Sequence, residues 1–563
     1  MILHWKAAEK ETGHGSPRIF TDRTIKRSTK DTNPGLSRED AMKTPLRCTR
    51  LRSRQRYSPA GAVAGCLQGT AAMLLMMAIA GWAEPIKICP SNPHYFQYKE
   101  KPLVLITSDH HYGAVIDKDF DFARYLDYLA SHGMNLTRIY PGGMFESPDK
   151  YLPGNPLGPR PGRQILPWAK SNQSGAHPAL AEPGEHSYKF DLDRWNPAYF
   201  SRLKAFVELA RQKDIIVEIA FFNGMYADCW PLMPMYHGNN IQNVGQYEAN
   251  DCGLFTTADP RNKGVIQYQK AYITKITTEL NGYDNVIFDL CDEPSLQGRP
   301  DGSIITLPDS QVVPWLHAMK EAFLEAEDSL PKKHLLGQTV QNLSPDLSSE
   351  AWCAWLPTEY VRPAGSAIDK DYGTNKPIVD VESDYFGYGL AKPYTVEDVR
   401  VEGWWFMLRG GAGFINLNGE YRRGQESGGK DTQTIIVPQK KILKDFINRF
   451  DLAGMARFSN FSGVPADAFA SAIAEQGKQY AFYMFHGTND GKWGAHFIAR
   501  PGSYRDTITL KAIPPGTYRL EWIDPATGTV KGTDHIGWAG GDLTVITTVY
   551  SIDVALRMWH TLR

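Results

Sequence analysis

Cysteine is scarce in this 563-residue chain, seven in all, and no two stand in the Cys-x-x-Cys spacing of thiolate metal sites. Charge of one sign is also lacking, since 61 Lys and Arg meet 62 Asp and Glu for a net charge of -1. The balance is uneven along the chain. The first 83 residues carry 14 basic and 6 acidic side chains, which leaves 47 basic and 56 acidic beyond them, a net of -9. A mildly acidic body has no basic footprint for phosphates, so no nucleic-acid partner is expected. No internal repeat stands out.

Long apolar runs are confined to one, from about Ala60 to Ile79. Met42 opens a basic stretch before it (Lys43, Arg47, Arg50, Arg52, Arg54, Arg56), and Gly81-Trp-Ala83 follows it. Basic, apolar and small residues in that order predict a secretory signal cut after Ala83, with export to the periplasm or beyond and membrane contact only in transit. A single membrane anchor is the rival reading. Residues 1–41 are polar and aperiodic, are expected to be disordered, and suggest a misplaced start codon before Met42. Five cysteines remain past the signal, an odd number for an exported protein, with Cys229 and Cys252 the most plausible disulfide.

The length exceeds one ordinary domain, and 42% apolar residues supply ample core. From about Pro102, short β-branched or aromatic runs alternate with amphipathic ones, which predicts βα units. Strands are expected at Leu103 to Thr107, Asn135 to Tyr140, Ile215 to Phe221, Asn285 to Cys291, His334 to Val340, Ala351 to Leu356, Pro377 to Glu382 and Gly413 to Leu417. Eight such runs fit an α/β fold, a (β/α)8 TIM barrel, over residues 84–455. From about Phe458 the pattern becomes short alternating runs such as Tyr518, Leu520 and Trp522, which predicts a smaller all-β sandwich domain over 456–563. The Pro- and Gly-rich loop from Gly142 to about Asp191 follows the second strand and is expected to wall a cleft. A second loop, Asn223 to about Asn262, is the next candidate wall.

Barrel chemistry sits at the C-terminal ends of strands, and two acids stand there: Glu293 in Asn285-Val-Ile-Phe-Asp-Leu-Cys-Asp-Glu-Pro294 and Glu382 in Lys376-Pro-Ile-Val-Asp-Val-Glu-Ser-Asp384. Strict alternation places Asp289, Cys291 and Glu293 on one face and Asp380 with Glu382 on another. Cys291 reads as a small barrel-filling residue. Buried carboxylates need a cation, and Arg138, near the end of the second strand, is the obvious one. Beside Arg138, Glu382 would stay ionised, while apolar surroundings and its neighbour's charge would hold Glu293 protonated.

Asn285 to Pro294 resembles the fourth-strand motif of clan A glycoside hydrolases, the cellulase-like (β/α)8 enzymes, and Lys376 to Glu382 resembles their seventh-strand motif. Met134-Asn-Leu-Thr-Arg-Ile139 is similar to their second-strand motif. The run Lys376 to Tyr385, the stretch from Asp398-Val-Arg through Trp404-Trp-Phe-Met-Leu-Arg to Gly413, and the tail Gly516 to Gly528 resemble the apiosidase-like branch. The resemblance spans about Pro90 to Met558. It implies Glu293 as acid/base, Glu382 as nucleophile, Arg138 as the nucleophile's support, a carbohydrate substrate and no cofactor. Asp292 stands where the clan usually has an asparagine on the sugar 2-hydroxyl; a carboxylate there can only accept, and it adds charge beside Glu293. The clan's sixth-strand His-x-Tyr is not evident.

Asp292, His110, His111, Asn223, Gln338, Tyr385, Trp404 and Asn418 are the candidate substrate-binding residues, with Asp109, Gln341, Asn416 and Glu420 also near strand ends. Tyr385 and Trp404 are candidate sugar platforms, although a Trp-Trp-Phe run on a helix is more often core. The reaction expected is retaining hydrolysis of an O-glycosidic bond in a plant-derived oligo- or polysaccharide, which needs the two acids about 5 Å apart. The alternatives are a non-catalytic carbohydrate-binding barrel and a metal-dependent hydrolase built on Asp109, His110 and His111. No metal is expected in the glycosidase reading.

Overall fold

The β-branched and aromatic runs form parallel strands whose side chains are buried on both faces, as expected where helices cover a sheet. They are β1 Leu105–Asp109, β2 Leu136–Ile139, β3 Ile216–Met225, β4 Val286–Gly298, β5 Leu336–Gly337, β6 Leu356–Glu359, β7 Ile378–Phe386 and β8 Gly413–Asn418. In this computed structural model residues 84–359, 365–389, 393–489 and 497–561 are described; the expected signal and its cleavage point lie outside them, apart from Glu84 onward.

β2 to β5 pair in sequence order, and so do β6, β7, β8 and β1. Two seams join these groups. Parallel bridges Gly337–Trp355 and Val340–Thr358 connect β5 to β6. Between β1 and β2, Asn135 works as a stitch: Ile106 N–H donates to its Oδ1 at 2.9 Å, its Nδ2 donates to Val104 O at 2.9 Å, and its own N–H reaches Ile106 O at 3.4 Å. The circle is therefore complete, and the chain is a (β/α)8-type barrel followed by β-sheets.

Helices α1 Phe122–Ser131, α2 Pro197–Gln212, α3 Lys263–Leu280 and α4 Asp309–Asp328 cover the first half. α1 starts on an Asp121 cap, buries Tyr125, Leu126 and Leu129 as its spacing predicts, and stops before Gly133, which takes φ 74. α5 Gly365–Asp371, α6 Val396–Leu408 and α7 Val437–Ile447 cover the second half. Among the described residues no helix separates β5 from β6. The sixth strand lies later than the sequence suggests, at Leu356–Glu359, with Trp355 just before it bridging Gly337 and donating its indole N–H to Phe288 O at 3.1 Å. That shift places Glu359 at the barrel's C-terminal rim.

Three short strands, Lys87–Ile88, Phe96–Tyr98 and Lys101–Leu103, close the opposite end. Ile86 N–H donates to Asp284 O at 2.9 Å, ahead of β4, and Phe96 meets Trp355 edge-on, ahead of β6. The C-terminal mouth is left for chemistry.

Beyond α7, one sheet runs in the order Ala456–Arg457, Ala468–Glu475, Gln479–Asn489, Asp553–His560, Gly516–Ile523, Val530–Trp538, and Phe461–Ser462, Thr507–Ile513 and Gly541–Ile546 form another. Tyr518, Leu520 and Trp522 point into the core between them. Ala468–Glu475 and Val530–Trp538 were not legible as strands, one being alanine-rich and the other largely exposed and polar. α6 is buried all round because the barrel lies on one side and the first sheet on the other. Its Trp404 sits between Phe446 and Tyr483, and its Arg400 pairs with Asp553 at 2.9 Å.

Cys229 and Cys252 are both buried and both free, contrary to the expected disulfide. Cys252 Sγ donates to the carbonyls of Met225 and Gly298 at 3.1 and 3.2 Å, whereas Cys229 Sγ faces Lys150 Nζ at 3.6 Å. No described helix is long and apolar enough to cross a membrane.

Candidate active site

The mouth of the barrel holds more carboxyl groups than one cation can balance. Arg138, fully buried on β2, lies within 3.0 Å of Asp289 Oδ2 and Asp292 Oδ1, 2.9 Å of Glu218 Oε1 and 3.5 Å of Glu382 Oε2. The Glu218 contact is close but off the N–H axis, and neither atom gains a hydrogen bond. Tyr112 and Tyr140 flank the guanidinium, their ring centres 5.0 and 5.5 Å away. Asp109 Oδ2 accepts from the Arg138 backbone N–H at 2.6 Å and ties β1 to β2. Arg138 thus anchors a cluster and does not serve Glu382 alone.

Burial decides the ionisation of most of this cluster. It pushes Glu218 up to about 8 and Asp289 up to about 6, against the pull of Arg138. Asp292 is the exception. Burial pushes it up too, but Arg138, then Glu359 and Tyr140, hold it below the ordinary carboxylate value. Its Oδ2 accepts from Arg138 Nη1 at 3.3 Å, Asn223 Nδ2 at 3.0 Å and the Tyr140 hydroxyl.

Glu382, on β7, is ringed by donors. Tyr385 Oη donates to Oε1 at 2.5 Å, Tyr112 Oη donates to Oε2 at 3.0 Å, and Arg138 stands behind. Among the described residues Glu293, on β4, has only long contacts, Tyr226 Oη at 3.5 Å and Asn342 Nδ2 at 3.4 Å. Burial raises its proton affinity well above the ordinary value, and the charges of Asp292 and Glu382 add to the effect. Glu293 and Tyr112 take φ values of 43 and 46, left-handed backbone that is strained for such residues and that clusters at working sites.

Strict alternation fails here. Asp289 and Asp292, three residues apart, both reach Arg138, so the facing changes between them and again at Glu293. On β7 the pairing with β8 shifts register between Asp380 and Ser383, and Asp380 accepts from Ser383 Oγ at 2.6 Å.

Of the predicted binding residues, Asp292, Asn223, His111 and Tyr385 come together at this mouth. His111 stands between Tyr388 Oη at 2.6 Å and Glu146 Oε2 at 3.2 Å. The other four do not. His110 is a structural link, its Nδ1 on Asp109 Oδ1 at 2.8 Å and its Nε2 accepting from Ala114 N–H at 3.0 Å. Gln338 Nε2 is spent on the carbonyls of Cys291 and Thr339. Asn418 Nδ2 donates to Ser108 and Thr432, and its Oδ1 caps the Glu420 N–H. Trp404 is core. Gln341 donates to Asp371, and Asn416 accepts from Ser108, so neither is aimed at substrate. The Asp109, His110, His111 grouping does not converge, because Asp109 accepts from Tyr125, Thr137 and Arg138 while the two histidines engage different partners.

Sequence reasoning missed Tyr112, Tyr140, Glu146, Asn342, Tyr388, Glu218 and Glu359, and reached Tyr226 only as part of a wall loop. Both expected wall loops do contribute, with Glu146 from one and Tyr226 from the other. Among the described residues, the one trio of metal-type ligands is Asp292, Glu359 and Glu382, whose oxygens lie within 4.8 Å of one another. Arg138 already stands against two of the three.

No protein-family model matches the chain, and no curated protein sequence does. Solved structures do match in shape. A glycoside hydrolase is 10% identical with a TM-score of 0.55, covering 85% of this chain and 97% of its own. A putative glycoside hydrolase from Bacteroides vulgatus ATCC 8482 is 12% identical with a TM-score of 0.55, covering 85% of this chain and 83% of its own. A glycoside hydrolase family 5 structure from the same organism is 10% identical with a TM-score of 0.54, covering 84% of this chain and 94% of its own. Over most of its length, sheets included, the chain has the fold of these glycoside hydrolases.

Proposed function

We propose that this protein is an exported retaining glycoside hydrolase acting on a plant-derived oligo- or polysaccharide. The observation that carries the reading is the contrast between two buried glutamates at one barrel mouth: Glu382 held by two phenols and a guanidinium, Glu293 left with contacts of 3.4 and 3.5 Å. Donors stabilise the anion, and their lack favours the neutral acid. Glu382 then attacks the anomeric carbon while Glu293 gives its proton to the leaving oxygen; Glu293, now a base, takes a proton from the water that releases the sugar from Glu382. Arg138 and the two tyrosines hold the attacking carboxylate. No cofactor enters this sequence. The motifs similar to clan A glycoside hydrolases support a carbohydrate substrate, and the basic, apolar, small-residue leader supports export.

Proton NMR of the first product tests the mechanism. The anomer released should keep the substrate's configuration, and a 2-fluoro glycoside with a good leaving group should leave a sugar ester on Glu382 detectable by mass spectrometry. An inverted first product would reject the double displacement.

A further inference from the structure

Glu359, at the end of β6, is fully buried, and neither of its oxygens accepts a hydrogen bond from an N–H or O–H of the described residues. One of its oxygens lies within 4.8 Å of an oxygen of both Asp292 and Glu382. Three buried carboxyls crowded this closely, with one guanidinium against two of them, do not all stay ionised, and the one that carries a proton can donate to its neighbour. Asp292 already accepts from Arg138, Asn223 and Tyr140. A proton placed on Asp292 would leave Glu359 as a buried anion with no donor among the described residues, facing Glu293 from β4 and Glu382 from β7, an arrangement that burial makes costly. The proton therefore belongs to Glu359.

We propose that Glu359 is a positioning residue: a neutral carboxylic acid that donates to Asp292 and so fixes the anion that orients Arg138 toward Glu382. Burial first, and then the charge of Asp292, raise its proton affinity well above the ordinary value, in keeping with this placement. The role explains how an aspartate is tolerated beside Glu293. Asp292 has one cation and three neutral donors around it, Tyr140, Asn223 and Glu359. The inference rests on the glycosidase reading for its catalytic consequence, but the location of the proton does not.

The test uses the full chain as wild type, Glu359→Gln and Glu359→Ala. Infrared spectra at neutral pH should show the carbonyl stretch of a buried protonated carboxyl in the wild type, weakened by one group in Glu359→Gln. Glutamine keeps a neutral donor for Asp292, so kcat/KM should stay near wild type, whereas Glu359→Ala should fall about 10²-fold, mainly in kcat. An identical band in wild type and Glu359→Gln would overturn the proposal. So would a Glu359→Gln enzyme with a native melting curve but as impaired as Glu359→Ala. If Glu359→Ala does not fold, the band and the glutamine variant still decide. If the wild type hydrolyses no glycoside, the function fails separately, and the band still locates the proton.

Discussion

The β4 rim and the β7 rim present the same side chain, a buried glutamate at a strand end, and treat it in opposite ways. At β7, Glu382 meets Tyr385 at 2.5 Å, Tyr112 at 3.0 Å and Arg138 at 3.5 Å. At β4, Glu293 follows a neighbouring carboxylate on a left-handed residue and receives no donor nearer than 3.4 Å among the described residues. Burial is nearly equal, 5% exposure against 6%, so depth does not separate them. The donor count does, and it turns one residue type into two chemical groups.

The largest way to break this contrast is to neutralise each glutamate in turn. Glu382→Gln should lose on the order of 10⁴- to 10⁶-fold in kcat whatever the leaving group, since it removes the proposed nucleophile. Glu293→Gln should lose about 10²- to 10⁴-fold with a poor leaving group and much less in the first step with a nitrophenolate that needs no proton. As the proposed acid, Glu293 works in its protonated form, and burial raises its proton affinity, so kcat/KM should fall as pH rises through that raised value. That alkaline limb should vanish in Glu293→Gln. Equal losses on both leaving groups in both variants would erase the distinction.

A smaller effect sharpens the β7 side. Tyr385→Phe and Tyr112→Phe each remove a donor from a carboxylate, worth about 1.5–3 kcal/mol, roughly tenfold to a hundredfold in kcat/KM. The sign on pH is fixed: losing a donor raises the carboxylate's proton affinity, so the acid limb should move to higher pH. A rate loss with an unmoved acid limb would mean that the tyrosines merely fill space.

How much of this was legible depends on which contacts are local. Strand ends are, so Glu293, Glu382 and Arg138 could be read from their flanking apolar runs. Tyr112 and Tyr140 could not, because what aims them is a left-handed turn after β1 in one case and a partner 152 residues away in the other. Glu359 was hidden by a strand placed a few residues early, since a Trp-rich run has no period to mark where pairing begins. His110 and His111 show the limit most plainly. Adjacent and chemically identical, one ties a turn through Asp109 and Ala114 while the other faces Tyr388 and Glu146. Only tertiary partners distinguish them.

The same lesson gives the smallest expected effect on catalysis, at Trp404. As a sugar platform its removal would raise KM; as packing between α7 and the sandwich sheet it should spare KM and cost stability. Its ring centre lies 4.8 Å from that of Phe446 and 5.3 Å from that of Tyr483, and its indole N–H has no hydrogen-bond partner among the described residues. Trp404→Ala should therefore destabilise the fold by about 3–5 kcal/mol in denaturant melts. Trp404→Phe should cost less, because it keeps most of the ring and removes a buried donor that is already unsatisfied. Both variants should show wild-type KM below their melting range. A KM that rises in Trp404→Ala while stability holds would return this residue to the mouth of the barrel and leave the junction between α6 and the sheets with Trp405 as its packed indole.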